Sequence, residues 1–215
     1  MATRNSSSRS SSTGRGASGA KNQIVAMLKA DHKKVKKAFK DFEKLDSQED
    51  PESCRELVER TVAEIEVHAE LEEQVFYPAA RGAIKDESLL DEAEVEHMTA
   101  KVLMEQLKGM GPDDEKYAAT FKVLGEYIDH HVQEEEGEMF KQLTQAGAEW
   151  DAVLEEMMAT RAQLMQEKGL PAEDEQAGAT RGEGAGSAKR GASRGGAEAR
   201  PQAASRSSKS SSEKE

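Results

Sequence analysis

The chain has 215 residues, 33% charged, 36% hydrophobic and 4% aromatic, with a formal net charge of −12 and five histidines; its mean hydropathy is −0.80. Residues 1–20 carry three arginines and no acid, residues 171–215 carry eight basic and seven acidic side chains, and residues 21–170 hold the other 19 basic and 35 acidic ones, a net charge of −16. Composition this polar excludes folding along the whole length, the lack of any run of 18 apolar residues excludes a membrane-spanning helix, and so acidic a middle is a poor candidate for a nucleic-acid-binding core, because it repels phosphate.

Met1 to Ala20 is nearly all Ser, Arg, Gly, Thr and Ala, a vocabulary that predicts a disordered tail. It has no apolar stretch of the kind a secretory signal needs, so a cytoplasmic location is expected. From Asn22 a stripe of Ile24, Leu28, Val35, Phe39 and Phe42 predicts a first helix reaching Leu45. Asp50 and Pro51 read as the N-cap and first residue of a second helix, which runs through Val58, Val62, Ile65, Val75 and Phe76 to Pro78. Cys54, the single cysteine, lies in it with no partner for an internal disulfide, and no role is assigned to it.

A third helix is predicted from about Asp86 or Ser88, with Leu90, Ala93, Ala100, Met104 and Leu107 on one face, stopping at Gly109 to Gly111. Pro112 and Asp113 open a fourth, with Tyr117, Phe121, Leu124, Ile128, Met139 and Leu143 inward. A shorter amphipathic segment with Trp150, Val153, Leu154, Met157, Met158 and Leu164 predicts a fifth helix packed on the outside. Tyr77, Tyr117, Tyr127 and the methionines 98, 104, 139, 157 and 158 are expected as packing residues. Pro171 to Glu215 returns to tail composition, and Gln176 to Ser212 holds seven basic residues against two acidic ones. That stretch is expected as a solvated tail with no fixed partner, with weak contact to nucleic acid or to the acidic core as the alternative. The expected architecture is all-α: a disordered tail over 1–20, an antiparallel up-down-up-down four-helix bundle over 21–146, an accessory helix over 147–170 and a disordered tail over 171–215.

The stripes carry polar residues on their apolar side. His32 lies four after Leu28; His68 is three after Ile65, with Glu72 four further on; His97 is four after Ala93; His131 is three after Ile128, with Glu135 four further on. Each of the four long helices therefore turns one histidine inward, and two add a carboxylate one turn later. Buried carboxylates without partners cost several kcal/mol each, and a divalent cation offsets that cost with imidazole nitrogen and carboxylate oxygen as ligands. Residues four apart on a helix are separated by about 6 Å along the axis and turned by about 40°, so Glu72 and Glu135 can meet centrally and bridge two ions. Six protein ligands leave both ions short of six-coordinate, with water, an oxo or hydroxo bridge, or a small exogenous molecule to complete them.

An internal repeat supports a symmetric site. EVHAELEEQVFYP (66–78) and DHHVQEEEGEMFK (129–141) pair His68 with His131, Glu72 with Glu135, Glu73 with Glu136 and Tyr77 with Phe140. The fifth histidine, His130, is turned about 100° off the stripe and reads as a surface or interface residue.

The segments LKADHKKV, HAELEEQVFYPAA, EVEHM and HHVQEEEGEMF, between about Gln23 and Leu143, resemble the hemerythrin-like, or HHE cation-binding, family. The resemblance implies an antiparallel four-helix bundle around two non-haem iron ions, bridged by carboxylates and an oxo or hydroxo group. It assigns as ligands His32, His68, Glu72, His97, His131 and Glu135. The oxygen-carrying members have two histidines one turn apart on the third helix, where this chain has Lys101 four after His97 and Ala93 four before. Their last carboxylate comes five after its histidine, where Glu136 stands here. The four-histidine, two-glutamate set is similar to the bacterial branch linked to nitric oxide, iron–sulfur repair or peroxide breakdown.

Two functions remain: a sensor or binding protein taking oxygen, nitric oxide or peroxide, and an enzyme disproportionating peroxide or turning over nitric oxide. A ferritin-like iron oxidase ranks behind both. That class needs Glu-x-x-His on two helices, and Glu94–His97 is the only such pair among the inward histidines.

Overall fold

The computed structural model describes residues 13–46, 49–144 and 148–171, with side chains from residue 19. Residues 1–12 and 172–215, which include most of both expected tails and the basic stretch, lie outside the described residues. All regular structure among the described residues is helical, and no helix there is long and apolar enough to cross a membrane.

Helix α1 spans Thr13–Phe42, so it begins inside the segment expected to be disordered. The apolar stripe extends one turn ahead of Ile24: Ala20 is 2% exposed and packs in the same cluster as Ile24 and Leu28. Helix α2, Pro51–Leu71, starts as the sequence predicts, with Asp50 accepting from the Ser53 backbone N–H. It continues without a break through a π-helical turn, Glu72–Phe76, and a last turn, Tyr77–Ala80. The chain then reverses at Gly82, whose φ of +82° suits a residue without a Cβ. Helix α3 is Ser88–Lys108; the Asp86 carboxylate accepts from both the backbone N–H and the hydroxyl of Ser88.

Helix α4 starts at Tyr117, five residues later than Pro112 predicts, and runs to Glu134. The Asp114 carboxylate takes the Gly111 N–H at 2.7 Å, and the Asp114 N–H returns to the Gly111 carbonyl, so residues 111–114 close a turn of their own instead of a first helical turn. It too passes into a π turn, Glu135–Met139, followed by Phe140–Gln142. Helix α5, Trp150–Glu167, packs on α1 and α2, with Trp150 and Met157 fully buried.

The long helices touch in a ring: α1 on α2, α2 on α3, α3 on α4 and α4 on α1. Contacts between α1 and α4 run in opposite order along the two, from Lys21 to the Leu143 carbonyl, through Lys29 and Glu136, to Lys36 and Asp129. The same reversal links α2 to α3, from Arg81 with Asp91 to Lys101 with Glu73 and Lys108 with Glu66.

The core is in two parts. One cluster holds Ile24, Leu28, Leu71, Phe76, Tyr77, Leu90, Met139, Phe140 and Trp150; the other holds Val35, Val62, Ile65, Met104, Tyr117, Phe121, Leu124 and Ile128. Each large apolar side chain so buried contributes about 1.5–3 kcal/mol, which allows a polar layer between the clusters to be tolerated. Met98, Met158 and Tyr127, expected as packing residues, are instead 64%, 60% and 45% exposed, on the outer faces of their helices.

Candidate metal centre

Seven polar or charged residues are buried among the described residues: Thr61 and the six expected as ligands, His32, His68, Glu72, His97, His131 and Glu135. Those six form the layer between the two apolar clusters. His32, His68, Glu72 and Glu135 offer ligand atoms that all lie within 4.8 Å of one another, and so do Glu72, His97 and His131. The Nε2 atoms of His32 and His68 are 3.1 Å apart, and those of His97 and His131 3.3 Å. Glu72 Oε2 lies 3.2 Å from His68 Nε2 and 3.5 Å from His97 Nε2. Glu135 Oε2 lies 3.1 Å from His32 Nε2 and 3.9 Å from His131 Nε2. Two histidine pairs thus flank two carboxylates, each of which reaches toward both pairs.

The two π turns set this register. Tyr77 donates its N–H to the Glu72 carbonyl and Phe140 to that of Glu135, a five-residue step that widens the helix at the residue where each carboxylate turns inward. A side chain five after each glutamate then also faces the layer. The Tyr77 ring lies along His97 at 5.6 Å and the Phe140 ring along His32 at 6.1 Å. The off-phase aromatics at positions 77 and 140 were the sequence signal for these turns.

A second ring of carboxylates, which the helical stripes do not reveal, holds the imidazoles from behind. The Nδ1 atoms of His32, His68, His97 and His131 face Glu136 (2.9 Å), Asp31 (3.4 Å), Glu73 (3.1 Å) and Glu96 (2.8 Å) respectively. Each of these acids is adjacent in sequence to one of the six layer residues and pairs with a histidine on the neighbouring helix. The arrangement follows the internal repeat: Asp31 and Glu96 precede His32 and His97, while Glu73 and Glu136 follow Glu72 and Glu135. Three of the four are braced in turn, Asp31 by both guanidinium nitrogens of Arg161 (2.5 and 2.6 Å), Glu73 by Lys101 (2.6 Å) and Glu136 by Lys29 (3.4 Å). Glu136, the alternative ligand by spacing, is therefore occupied behind His32.

An acceptor lies behind every Nδ1, so in a neutral ring that nitrogen carries the proton and Nε2 turns its lone pair to the layer. The interior is then rich in acceptors and poor in donors. The Tyr77 hydroxyl donates to Glu72 Oε2 at 3.4 Å. Glu72 Oε1 and both oxygens of Glu135 are buried with no hydrogen-bond partner, a condition native interiors rarely tolerate. Burial and the charge of Glu135 push the Glu72 carboxyl well above its ordinary range. Burial also acts to raise Glu135, but His32 beside it holds it down to about 2, so of the pair Glu72 is the member that keeps a proton. Burial pushes His68 and His97 down. For His32 burial is outweighed by Glu135 and Glu136, and the imidazole is raised. For Glu73 the hydrogen bond from His97 leads, and with Lys101 it brings the carboxyl to about 2. Donors of this number and type, spaced at 3–4 Å, suit first-row divalent ions, whose bonds to imidazole and carboxylate are about 2.0–2.2 Å.

A cavity of about 20 Å³ opens beside the layer on the side of the second cluster, walled by the four imidazoles and by Ile65, Ala100, Met104, Ile128 and Val132. Glu94, the acid that a ferritin-like pair needs, is instead 48% exposed in its side chain and bound to Arg81.

The family described as hemerythrin HHE cation binding domain matches residues 23–143, more than half of the chain. A curated protein from Nostoc sp. (strain PCC 7120), called a DNA nickase, is 29% identical over 117 residues, 54% of this chain. The chain spans about a third of that protein's length, 32%. Among solved structures, a hemerythrin HHE cation binding domain-containing protein from Mycobacterium kansasii superposes with a TM-score of 0.53 at 22% identity, over 66% of this chain and 85% of that one.

Proposed function

The chain belongs to the hemerythrin HHE cation-binding domain family, and from there we propose that it is a non-haem di-iron protein that binds a small neutral molecule, oxygen, nitric oxide or peroxide, in a cytoplasmic stress or sensing role. The carrying observation is the buried polar layer: four imidazoles and two carboxylates converge there, and three of the carboxylate oxygens have no hydrogen-bond partner. The fold that goes with this reading is an up-down-up-down four-helix bundle of the bacterial branch, with α5 laid against it.

In this reading His32 and His68 would hold one iron and His97 and His131 the other, with Glu72 and Glu135 within reach of both pairs. Iron held there would supply open coordination positions and one-electron chemistry. The chain does the rest. The carboxylates behind Nδ1 fix each imidazole's tautomer and direction, and the apolar cavity admits a molecule of two or three heavy atoms while excluding charged ones.

Tyr77 favours a second, catalytic reading, the turnover of peroxide or nitric oxide. Its hydroxyl lies 3.4 Å from Glu72 Oε2 and 3.5 Å from His97 Nε2, and burial pushes its pKa well above 10, so it stays a proton-bearing donor beside any ligand. The name of the Nostoc relative raises DNA cleavage as a third activity. The −16 charge of residues 21–170 argues against strand binding, and supercoiled plasmid incubated with the iron-loaded chain should remain unnicked.

The test is iron content and the ultraviolet–visible spectrum of the full chain before and after peroxide and nitric oxide. Two irons per chain with spectral changes on adding either molecule support the reading. Slow-decaying adducts select binding, and rapid oxygen evolution from peroxide selects catalysis. Fewer than one iron per chain, with no response, refutes it.

A further inference from the structure

The two halves of the metal layer are closed differently. On the α1–α2 side, the repeat places Asp31, Val67 and Leu71 where the α3–α4 side has Glu96, His130 and Glu134. Val67 and Leu71 are buried at 3% and 0% exposure, and Arg161 of α5 takes both oxygens of Asp31. That side is sealed by apolar side chains and a fixed positive charge.

Among the described residues, the α3–α4 side has no such cover. The His130 side chain is 60% exposed, and its Nε2 lies 3.5 Å from both Glu96 Oε1 and Glu134 Oε1. These three residues offer ligand atoms within 4.8 Å of one another, and no lysine or arginine among the described residues pairs with Glu96 or Glu134. The other oxygen of Glu96 already holds His131 Nδ1, so one carboxylate touches both the surface cluster and the buried layer. A second observation lies directly beneath. A cavity of about 10 Å³ is lined by Glu96, Glu134, His131 and Glu135 with Leu89, Ala93 and Met139, and Glu135 is the side chain whose two buried oxygens have no hydrogen-bond partner. The repeat places Leu28 and Phe76 at the positions of Ala93 and Met139, both fully buried, so the corresponding space on the sealed side is filled.

We propose that Glu96, His130 and Glu134 form a surface cation site that serves as the loading port of the buried centre, taking a divalent first-row ion from solvent and passing it to His131 and Glu135. Imidazole and two carboxylates suit a hydrated ion in transit, because they bind first-row divalent ions without enclosing them. The smaller Ala93 and Met139 leave the passage from it to Glu135. The proposal rests on the di-metal reading of the layer.

The experiment uses the full chain freed of metal, mixed with Co²⁺ in a stopped-flow instrument, following the visible bands of cobalt in the buried site. The compared proteins are wild type, the double variant His130→Gln with Glu134→Gln, and Glu156→Gln, which removes one exposed charge from α5, the helix that packs on α1 and α2. The expected result is at least tenfold slower loading in the double variant, to the same final spectrum of buried cobalt, with Glu156→Gln as fast as wild type. Equal rates in all three, or equal slowing in Glu156→Gln, would overturn the port and leave the di-metal reading standing. A double variant whose buried layer ends with less cobalt than wild type would place its residues in the centre itself and overturn the port as well. A wild type that takes no cobalt into the layer refutes the di-metal reading, and the port falls with it.

Discussion

Glu72 and Glu135 are the same residue twice. Each follows an inward histidine by four, each opens a π turn, and each is at most 1% exposed, with at least one oxygen lacking any hydrogen bond. Two carboxylates in one buried layer cannot both be ionised without a cation between them, and the metal-free protein resolves this by keeping Glu72 protonated.

Glu72→Gln is therefore expected to stabilise the metal-free protein while abolishing full metal loading. Glu72 has a raised folded pKa, so the folded state holds a proton that the unfolded chain releases above its ordinary value of 4.5, and wild-type stability falls as pH rises through that range. The neutral amide escapes this loss. The expected gain is about 1–3 kcal/mol near pH 7, shrinking to nothing toward pH 4, in urea titrations of the metal-free proteins. A variant that is less stable at every pH would show that the ionised carboxylate is welcome in the layer.

Arg161 acts on His68 through Asp31. Burial would raise the Asp31 carboxyl, but its bonds to His68 and Arg161 hold it well below the usual range, so it is a fixed anion behind the imidazole. Arg161→Met frees that anion to swing away. The expected effect is a tenfold to hundredfold weaker metal affinity, the usual consequence of losing support behind a ligand, with partial recovery in Arg161→Lys. Competition against a chelator measures it, and unchanged affinity in Arg161→Met would remove α5 from the account of the centre.

Tyr77 and Phe140 are repeat mates, so Tyr77→Phe makes the halves alike at that position and keeps the ring that packs on His97. It removes the donor to Glu72 Oε2 and should cost about 1 kcal/mol in the metal-free protein. Metal stoichiometry should be unchanged, and decay of the peroxide or nitric oxide adduct should change severalfold. Identical decay would reduce the hydroxyl to a packing role.

Gly125 gives a test of packing away from the layer. A Cβ there would lie 2.9 Å from the Phe39 ring, which itself packs on Phe121 at 4.7 Å. Alanine normally adds about 1 kcal/mol inside a helix, whereas overpacking costs about 1–3 kcal/mol. Gly125→Ala should therefore be destabilised by up to about 2 kcal/mol in a denaturant titration. A stabilised variant would mean that Phe39 swings aside freely.

The six layer residues were legible in the sequence because a helix has a fixed period. His68 with Glu72 and His131 with Glu135 sit on the apolar stripe, and four helices each supply one histidine. Asp31, Glu73, Glu96 and Glu136 were not legible, because a neighbour in sequence is turned about 100° from the stripe and reads as a solvated charge until the adjoining helix is in place. The π turns escaped for a related reason: a five-residue step is invisible to a search for steps of three and four, although Tyr77 and Phe140 marked it. The starts of α1 and α4 moved because short-range signals were outweighed, at Ala20 by core packing and at Pro112 by the Asp114 turn. Arg161 could not have been found at all, since its partner lies 130 residues away.

The central claim, two metal ions shared by six buried side chains, is tested most directly by diffraction from crystals of the iron-loaded chain at the iron absorption edge. The account predicts two anomalous peaks, one against Nε2 of His32 and His68 and one against Nε2 of His97 and His131, with Glu72 and Glu135 reaching both. A single peak, peaks lying outside the layer, or a layer closed by hydrogen bonds with no ion in it would contradict it.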